Sequence, residues 1–356
     1  MPLRFIRADL ARVQVAAIVN TVSKRPIVGS GTDGHLNTVA GPELLAARKQ
    51  IGYMHPGEVA VTVGFHLPAK YVIHTVAPHF LRDTQPEKLL RQCYLGALQA
   101  AVERGCQSIA FPLLATGYTS FPKELAFNIS VEAFTDFLAE HDLDISLVLF
   151  DKQSLAIPSP LLQDVQSFID DHACGHLLAM ERRRRQWRDE NRNYCSEQLE
   201  NLDHEDVQAM FEVDDDLVAK DVGIAFNKAY SPKASLEDMV AHLDSGFSET
   251  LLKLIDASGH SDAEVYKKAN MDRKLFSKIR NSKDYRPKMQ TVMALAIALE
   301  LDLPTTEDLL SRAGYALNPS KLFDVIVKYF IIHKNYDIVK INEVLFEYDQ
   351  QLLGYN

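Results

Sequence analysis

The first 172 residues alternate short apolar runs with longer amphipathic segments, and this alternation limits the possible folds more than any other feature of the chain. The apolar runs predict strands at Leu3–Ile6, Val15–Val19, Val59–Val63, Tyr71–Val76, Ser108–Pro112 and Ile145–Phe150. Helical spacing of apolar residues predicts helices at Pro42–Ile51, Lys88–Arg104, Lys123–Glu140 and Ser159–Asp171. This order predicts an α/β layered domain with a mostly parallel central sheet.

Length and composition bound the class of protein. A chain of 356 residues with 47% apolar residues is expected to form at least two domains with real cores. The formal net charge of −10 argues against a protein whose whole surface coats nucleic acid or an acidic membrane. The sequence has neither an 18-residue apolar run nor the layout of a signal peptide, so we expect a cytoplasmic protein.

The cysteines and histidines give little sign of a metal site. The four cysteines have no CxxC spacing, which predicts neither a zinc finger nor a disulfide framework. His172, Cys174 and His176 are close in sequence, but alternating positions on a helix do not converge on one ion. We therefore expect no metal and no cofactor.

Two loops rich in small residues follow apolar strands. The loop Gly29-Ser-Gly-Thr32 lies between a strand that runs to Asn20 and a helix start near Asp33. The loop Ala115-Thr-Gly-Tyr118 follows the strand at Ser108–Pro112. Backbone N–H groups in such loops can bind an anion, although glycine also serves merely to permit positive φ. Neither loop matches GxGxxG or the P-loop, so the residues alone predict only a nucleotide-type ligand.

Seven motifs in this half, in matching order and spacing, together resemble the macrodomain family. They are Asp9-Leu10, Ala17-Ile-Val-Asn20, Gly29-Ser-Gly-Thr-Asp-Gly34, Leu67-Pro-Ala-Lys-Tyr-Val-Ile-His-Thr-Val76, Ser108-Ile-Ala-Phe-Pro112, Ala115-Thr-Gly-Tyr118 and Val148-Leu-Phe-Asp151. The resemblance covers residues 1–172. It implies a three-layer α/β/α fold with an ADP-ribose cleft across the carboxyl ends of the strands.

The resemblance also implies roles for single residues. Asp9 would accept a hydrogen bond from the adenine amino group, Leu10 would offer its backbone amide, and Phe150 would line the adenosine end. The other implied ligand-binding residues are Asn20, Ser23, Gly29, Ser30, Gly31, Thr32, Asp33, Ala115, Thr116, Gly117 and Tyr118. From the residues themselves, Asp9 could equally be a helix or turn cap and Phe150 a core residue. His74 is expected to be a core histidine rather than a base.

The resemblance leaves catalysis open. The hydrolytic branch of the family carries Asn-Ala-Ala-Asn where this chain has Asn20-Thr-Val-Ser23. Ser23 cannot reproduce the reach and orientation of the second asparagine, which helps to position the proximal ribose and the catalytic water. Asp33 retains the acidic position associated with activating water, so Asp33 and Asn20 are the implied catalytic residues. Lys24 and Arg25 either meet a more acidic ligand or are solvated.

Residues 173–246 differ in character, since they are highly charged and have few apolar anchors. We interpret them as a helical linker region that begins near Cys174. The run Arg182-Arg-Arg-Arg185 could contact nucleic acid or a partner protein. We favour a solvated helical face balanced by nearby glutamates.

Residues 247–356 have helical patterns only and predict a second, all-α domain. Ser261-Asp-Ala-Glu264 is a capping box before a short helix, and Asp272 begins the next helix, Arg273–Asn281. Further helices are predicted at Glu249–Ala257, Lys288–Leu301, Thr306–Ala313, Lys321–Phe330 and Ile338–Leu353. The pattern over residues 248–314 resembles a phage-repressor-type helix-turn-helix.

Charge gives this helix-turn-helix resemblance local support. Residues 260–290 contain nine Lys or Arg against four Asp or Glu. Leu275, Phe276 and Ile279 are expected to pack inward. The residues expected to face a DNA major groove are Arg273, Lys274, Ser277, Lys278 and Arg280. The alternative is a helical dimerisation or protein-docking domain that does not bind DNA.

The last two helices carry aromatic residues that look exposed in the sequence. These residues are Tyr329, Phe330, Tyr336, Phe346 and Tyr348. They would either cover the helical core or form the interface of a homodimer.

Three functions fit these observations. The first is a protein that binds ADP-ribose, or a related NAD-derived nucleotide or modification, and couples it to a DNA or protein partner. The second is an ADP-ribosyl hydrolase that removes ADP-ribose from a macromolecule or deacylates an ADP-ribose ester. The third is an antitoxin or defence-associated interaction protein that opposes a partner ADP-ribosyltransferase.

Overall fold

The computed structural model describes residues 3–149, 160–171, 246–282 and 285–354. The predictions for Phe150, for the metal candidates at 172–176 and for nearly all of the linker region 173–246 lie outside these residues.

A six-stranded sheet forms the centre of the first half. Its strands lie in the order β1-β6-β5-β2-β4-β3, and all neighbours are parallel except β3 and β4. The strands are β1 (Leu3–Ile6), β2 (Ala17–Thr21), β3 (Val59–Val63), β4 (Tyr71–Thr75), β5 (Ser108–Pro112) and β6 (Asp144–Val148). The predicted, mostly parallel sheet is confirmed.

Helices cover both faces of this sheet. They are α1 (Thr32–Ala40), α2 (Pro42–Ile51), α3 (Pro86–Glu103) and α4 (Lys123–Glu140). The next helix, α5 (160–171), packs instead against the core of the C-terminal helices, through residues such as Val165 and Phe168. In β2 the neighbours Ile18 and Val19 point to opposite faces. Ile18 packs in a cluster with Leu36 and Leu44 of α1 and α2, whereas Val19 packs in a cluster with residues of α3 and α4. This alternation produces the three-layer α/β/α arrangement.

The described C-terminal residues are helical, as predicted. The helices are α6 (Phe247–Ser258), α7 (Asp262–Lys268), α8 (Arg273–Asn281), α9 (Met289–Ala298), α10 (Leu303–Arg312), α11 (Leu322–Ile332) and α12 (Ile338–Glu347). The predicted capping box of α7 is present, since Ser261 Oγ accepts from Glu264 N and Glu264 Oε2 accepts from Ser261 N. No helix in the described parts of the chain is long and apolar enough to cross a membrane.

The expectation of exposed aromatic residues near the C-terminus was wrong. Tyr329 and Phe330 are 6% and 0% exposed and belong to the helical core. Tyr336 and Tyr348 pack against the same core, and Phe346 packs against the core of the first half. These side chains cover the core, the first of the two predicted roles, and they no longer give a reason to expect a homodimer.

The helical part and the sheet form one compact unit that comprises Met1–Ile169 and Phe247–Asn356. The turn between α7 and α8 contacts the edge strand β1, where Asn270 Oδ1 accepts from Leu3 N at 2.8 Å and Asn270 Nδ2 donates to Leu3 O at 3.0 Å. The rings of Phe5 and Phe346 lie 6.4 Å apart in the same junction. The side chain of Asn270 thus takes the place of a neighbouring strand.

Candidate functional site

A cavity of about 720 Å³ lies at the carboxyl ends of β2, β4 and β5. Parallel sheets of this kind bind ligands at such ends. The cavity brings together these predicted ligand residues: Ser23, Gly29, Ser30, Gly31, Thr32, Asp33, Ala115, Thr116, Gly117 and Tyr118. Asp9, Leu10 and Asn20 do not line it.

Asp33 holds three elements together beside this cavity. Its Oδ1 accepts from Asn20 Nδ2 at 2.7 Å and from Asn37 Nδ2 at 2.9 Å, and its Oδ2 accepts from Gly29 N at 2.6 Å. These bonds tie the end of β2, the loop and α1. Since a carboxylate has about four lone-pair positions, one position on Oδ2 is left for a ligand or a water.

The N-terminus of α1 also borders the cavity. The N-cap residue Gly31 has φ +66° and provides no side-chain cap, so the first N–H groups of the helix are not satisfied by a capping side chain. Thr32 and Asp33 in this first turn line the cavity. Gly34 is required for close packing, because a Cβ there would lie 2.8 Å from Gly29 O. The geometry favours an anion at this helix end.

The second loop forms the opposite wall and is held by hydrogen bonds. Ala115 has φ +66°, and its carbonyl accepts from Thr119 Oγ1 at 2.8 Å and from Phe121 N at 3.1 Å. Phe80 N donates to Thr119 O at 2.9 Å, which connects this wall to the segment after β4. The side chain of Tyr118 is 84% exposed at the rim.

Two buried basic side chains lie behind the first loop. Arg48 is 4% exposed and its Nη2 donates to Ser23 O at 3.2 Å, which fixes the backbone of that lining residue. Burial lowers the pKa of Arg48, and the Asp33 charge partly opposes this shift. His74 is a buried core residue, as expected, with Nε2 2.9 Å from Thr62 Oγ1. Burial, followed by the Arg48 charge, lowers the pKa of His74 to about 4.

The cavity lining does not include Asp9 and Leu10, the residues that the resemblance assigned to adenine binding. Asp9 caps a short 3-10 helix (Leu10–Arg12), because its Oδ1 accepts from Ala11 N at 3.0 Å. The same oxygen lies 2.9 Å from His35 Nε2. Asp9 is therefore a cap, the alternative that the sequence left open, and its contact with adenine stays a prediction. Leu10 is buried in the cluster that contains α1 and α2.

Asn20 lies beneath the cavity and is fully buried at the end of β2. Its Nδ2 donates to Asp33, but no partner for its Oδ1 exists in the described residues. A buried acceptor of this kind calls for a donor such as a water or a ligand hydroxyl.

The segment after β4 adds three lining residues that the sequence did not predict, His79, Arg82 and Asp83. Lys24, which follows β2 and for which the sequence left a ligand contact open, also lines the cavity. Lys24 Nζ lies 3.8 Å from Asp83 Oδ1, and His79 N donates to Asp83 Oδ2 at 2.7 Å. Histidine, arginine and aspartate are common in surface loops, so no local pattern singles out His79, Arg82 or Asp83. Only the fold brings them to Tyr118, whose ring lies 6.2 Å from that of His79.

The predicted DNA-binding residues all lie on the exposed side of α8, while Leu275, Phe276 and Ile279 are buried as expected. Two of the predicted DNA-binding side chains already contact other groups of the protein. Arg280 forms an ion pair with Asp262, and Lys278 Nζ lies 4.5 Å from the ring centre of Tyr285. No cluster of His, Cys, Asp and Glu suited to a metal occurs in the described ranges.

Comparison with known proteins places the first half in a family. The family model described as Macro domain matches residues 19–130. A macro domain-containing protein of Ralstonia nicotianae is 37% identical over 165 residues, which are 46% of this chain and 96% of that protein. The chain belongs to the macro domain family. The family and the α/β fold predicted from the sequence are confirmed for this half, whereas the helix-turn-helix resemblance stays a prediction.

Other relatives of the macro domain carry names that state an activity. An O-acetyl-ADP-ribose deacetylase of Escherichia fergusonii is 36% identical, covering 45% of this chain and 94% of that protein. An ADP-ribose glycohydrolase of Xenopus laevis is 36% identical, covering 41% of this chain but only 35% of that protein. A solved Oceanobacillus iheyensis macrodomain with ADP is 32% identical, covers 43% of this chain and 85% of that chain, and has a TM-score of 0.42.

Proposed function

We propose that the macro domain binds ADP-ribose, free or as a modification, in the cavity between the two loops. The observation that carries this proposal is the pair of facing walls, residues 29–33 with the uncapped N-terminus of α1 and residues 115–119 opposite. Backbone amides on these walls suit a pyrophosphate, because an anion replaces the missing caps. The names of two relatives, which refer to ADP-ribose, agree with this ligand.

The strand order supports one direction for the ligand. Asp9 follows β1, the loops follow β5 and β2, and β4 comes next along the sheet. Three steps of about 4.8 Å separate β1 from β2. Adenine at Asp9, with the amide of Leu10 beside it, would thus place the pyrophosphate between the loops and the terminal ribose near β2 and β4.

Isothermal titration with ADP-ribose tests this function. We expect saturable heat, weaker heat with ADP, and no heat with ribose 5-phosphate, because ribose 5-phosphate lacks both adenine and pyrophosphate. An absence of heat at high micromolar ADP-ribose would contradict the proposal.

Hydrolysis is the second candidate function, and the lining carboxylate favours it. Asp33 has one acceptor position left for a water, and the unpartnered Asn20 Oδ1 could accept from a ribose hydroxyl. Ser23 lines the cavity where hydrolytic relatives carry asparagine, and its backbone is held by Arg48. Incubation with O-acetyl-ADP-ribose, ADP-ribosylated protein and ADP-ribosylated DNA tests this role. We expect Asp33→Asn to abolish turnover, and undiminished turnover would remove Asp33 from catalysis.

For the helical part, a link to DNA or to a protein partner is a further proposal. The five predicted DNA-binding residues are exposed on α8, which supports a DNA contact, but the turn before α8 is docked on β1 through Asn270. A DNA contact through α8 must be salt-dependent, since phosphate neutralisation releases counterions. We expect Lys274→Ala to weaken retention of a mixed genomic DNA pool at low salt. Equal retention across salt concentrations would favour a protein partner, such as an ADP-ribosyltransferase that the protein opposes.

A further inference from the structure

The corner of the cavity at the carboxyl end of β4 contains an imidazole that the proposed function does not yet use. His79 lines the cavity together with Lys24, Asp83 and Tyr118. It is the only histidine in the cavity lining that the structure describes. The proposed ADP-ribose pose brings the terminal ribose to this corner.

Contacts on two sides hold His79 in place. Its backbone N donates to Asp83 Oδ2 at 2.7 Å, and its ring meets the Tyr118 ring edge-on, with centres 6.2 Å apart and planes at 85°. Asp83 is anchored in turn, because its Oδ1 lies 3.8 Å from Lys24 Nζ. A group that is held in this way needs little reorganisation when it acts on a ligand.

The hydrogen bonds of the ring define its role. Leu81 N donates to His79 Nδ1 at 3.3 Å, so the neutral ring carries its proton on Nε2. Within the described ranges Nε2 has no hydrogen-bond partner. Nε2 is also not buried. It is therefore an accessible N–H donor on a side chain that lines the cavity, rather than a base.

The position of this donor along the ligand follows from the sheet. β4 pairs with β2 on the side away from β5, β6 and β1. A ligand that reaches from Asp9 across the loops thus ends at β2 and β4, and the group attached to its terminal ribose lies beside His79. This placement rests on the proposed binding of ADP-ribose.

We propose that His79 is a catalytic residue whose Nε2–H stabilises the oxygen on which negative charge develops during cleavage of an ADP-ribosyl or acyl bond. In this hydrolysis the oxygen of water bonds to the electrophilic carbon. The bond to the leaving oxygen breaks, its electron pair stays on that oxygen, and the proton released by water ends on the leaving group. His79 donates a hydrogen bond throughout and gains or loses no proton. Asp33 orients the water from the other side.

A matched pair of variants tests this role. Glutamine places an amide N–H near the position of Nε2, whereas methionine has a similar length without a donor. We expect His79→Met to lower kcat on O-acetyl-ADP-ribose about 100-fold or more, the range for loss of one such donor. His79→Gln should retain most of kcat. KM and the Kd for ADP-ribose should change little in both variants, because free ADP-ribose lacks the acyl group at which the negative charge develops.

The outcomes separate this proposal from the proposed function. If the parent binds ADP-ribose but turns over neither O-acetyl-ADP-ribose nor ADP-ribosylated protein, the role of His79 is wrong and binding stands. If the parent does not bind ADP-ribose, the proposed function itself is wrong. If kcat of His79→Met equals that of the parent, or falls no further than that of His79→Gln, the donor role is overturned. Thermal unfolding of both variants controls for a purely structural effect.

Discussion

At the scale of single residues, Asp33 is both a structural tie and a candidate for orienting water. It is 5% exposed and accepts hydrogen bonds from Asn20, Asn37 and Gly29. A buried donor left without its acceptor costs about 1–3 kcal/mol. We predict that Asp33→Ala lowers the free energy of unfolding by about 2–4 kcal/mol, measured in urea, whether or not the protein is an enzyme.

Asn37→Ala is the matched control for Asp33→Ala. It removes one donor to the carboxylate and leaves the bonds to Asn20 and Gly29 intact. We expect a loss of about 1 kcal/mol and nearly unchanged ADP-ribose affinity. If Asp33→Ala proves as stable as the parent, the carboxylate does not hold the loop, and any loss of turnover is then due to chemistry.

His74 makes stability depend on pH. Burial lowers its pKa from 6.5 to about 4 in the folded protein. Between these values the unfolded chain binds a proton that the folded chain does not, so acidification favours unfolding. The stabilisation is complete above pH 6.5 and is lost as the pH falls towards 4, in total about 3 kcal/mol. We predict that the free energy of unfolding of His74→Gln falls less steeply below pH 6.5 than that of the parent, as measured by urea titrations at several pH values.

Glu343 in α12 acts in the opposite direction and must be separated from His74. Burial, followed by the Asp337 charge, raises the pKa of Glu343 from 4.5 to about 7, so the folded protein holds a proton that the unfolded chain releases. This group stabilises the fold below pH 4.5, and its contribution is lost as the pH rises to 7. The comparison of His74→Gln with the parent at each pH removes this shared contribution. The prediction would be contradicted if His74→Gln and the parent lost the same free energy of unfolding below pH 6.5.

At the scale of elements, the junction of the first loop with α1 depends on one glycine. A Cβ on Gly34 would lie 2.8 Å from Gly29 O, so Gly34→Ala must move the loop whose amide Asp33 binds. We predict ADP-ribose binding about tenfold weaker, or about 1.4 kcal/mol, in isothermal titration. Gly96→Ala is the control, because its Cβ is similarly crowded, at 2.9 Å from Val59 Cγ2, but Gly96 does not line the cavity. Equal affinity in Gly34→Ala and the parent would contradict this role.

The elements themselves were largely predictable, because apolar spacing and turn residues act locally. β1, β3, β5, α2 and α4 occupy the predicted residues. β2 lies two residues later than predicted, at Ala17–Thr21, since pairing from Ala17–Tyr71 to Thr21–Thr75 sets its ends and apolarity does not. The last helix ends at Glu347 rather than Leu353, shortly before Asp349 takes a left-handed φ of 54°.

Local sequence patterns predicted the site best where it consists of loop backbone. Small residues after β2 and β5 indicated both walls of the cavity, because such loops need positive φ and close approach. Arg48 and His79 were not predicted as parts of the site. Each depends on contacts between distant segments, such as Arg48 with Ser23 and His79 with Tyr118, for which local sequence carries no pattern.

At the scale of the whole molecule, the helical part is attached to the edge of the sheet through Asn270. Both bonds from this side chain to Leu3 are buried and join residues 267 positions apart. A free edge strand exposes unpaired N–H and C=O groups, and the side-chain amide of Asn270 satisfies one of each. The sequence presented this turn as part of a helix-turn-helix, and nothing local showed that it also closes the sheet.

This attachment is testable through the backbone conformation of Asn270, whose φ is 52°. Asn270→Gly keeps that conformation accessible and removes both hydrogen bonds to Leu3, so we predict a loss of about 2–4 kcal/mol in urea. Asn270→Ala should lose about 1 kcal/mol more, because alanine is strained in the left-handed region. Lys334→Gly, at an exposed helix end with φ 53°, should be neutral or stabilising. If Asn270→Gly is as stable as the parent, the helical part does not depend on this contact, and its docking must come from apolar packing around Phe346.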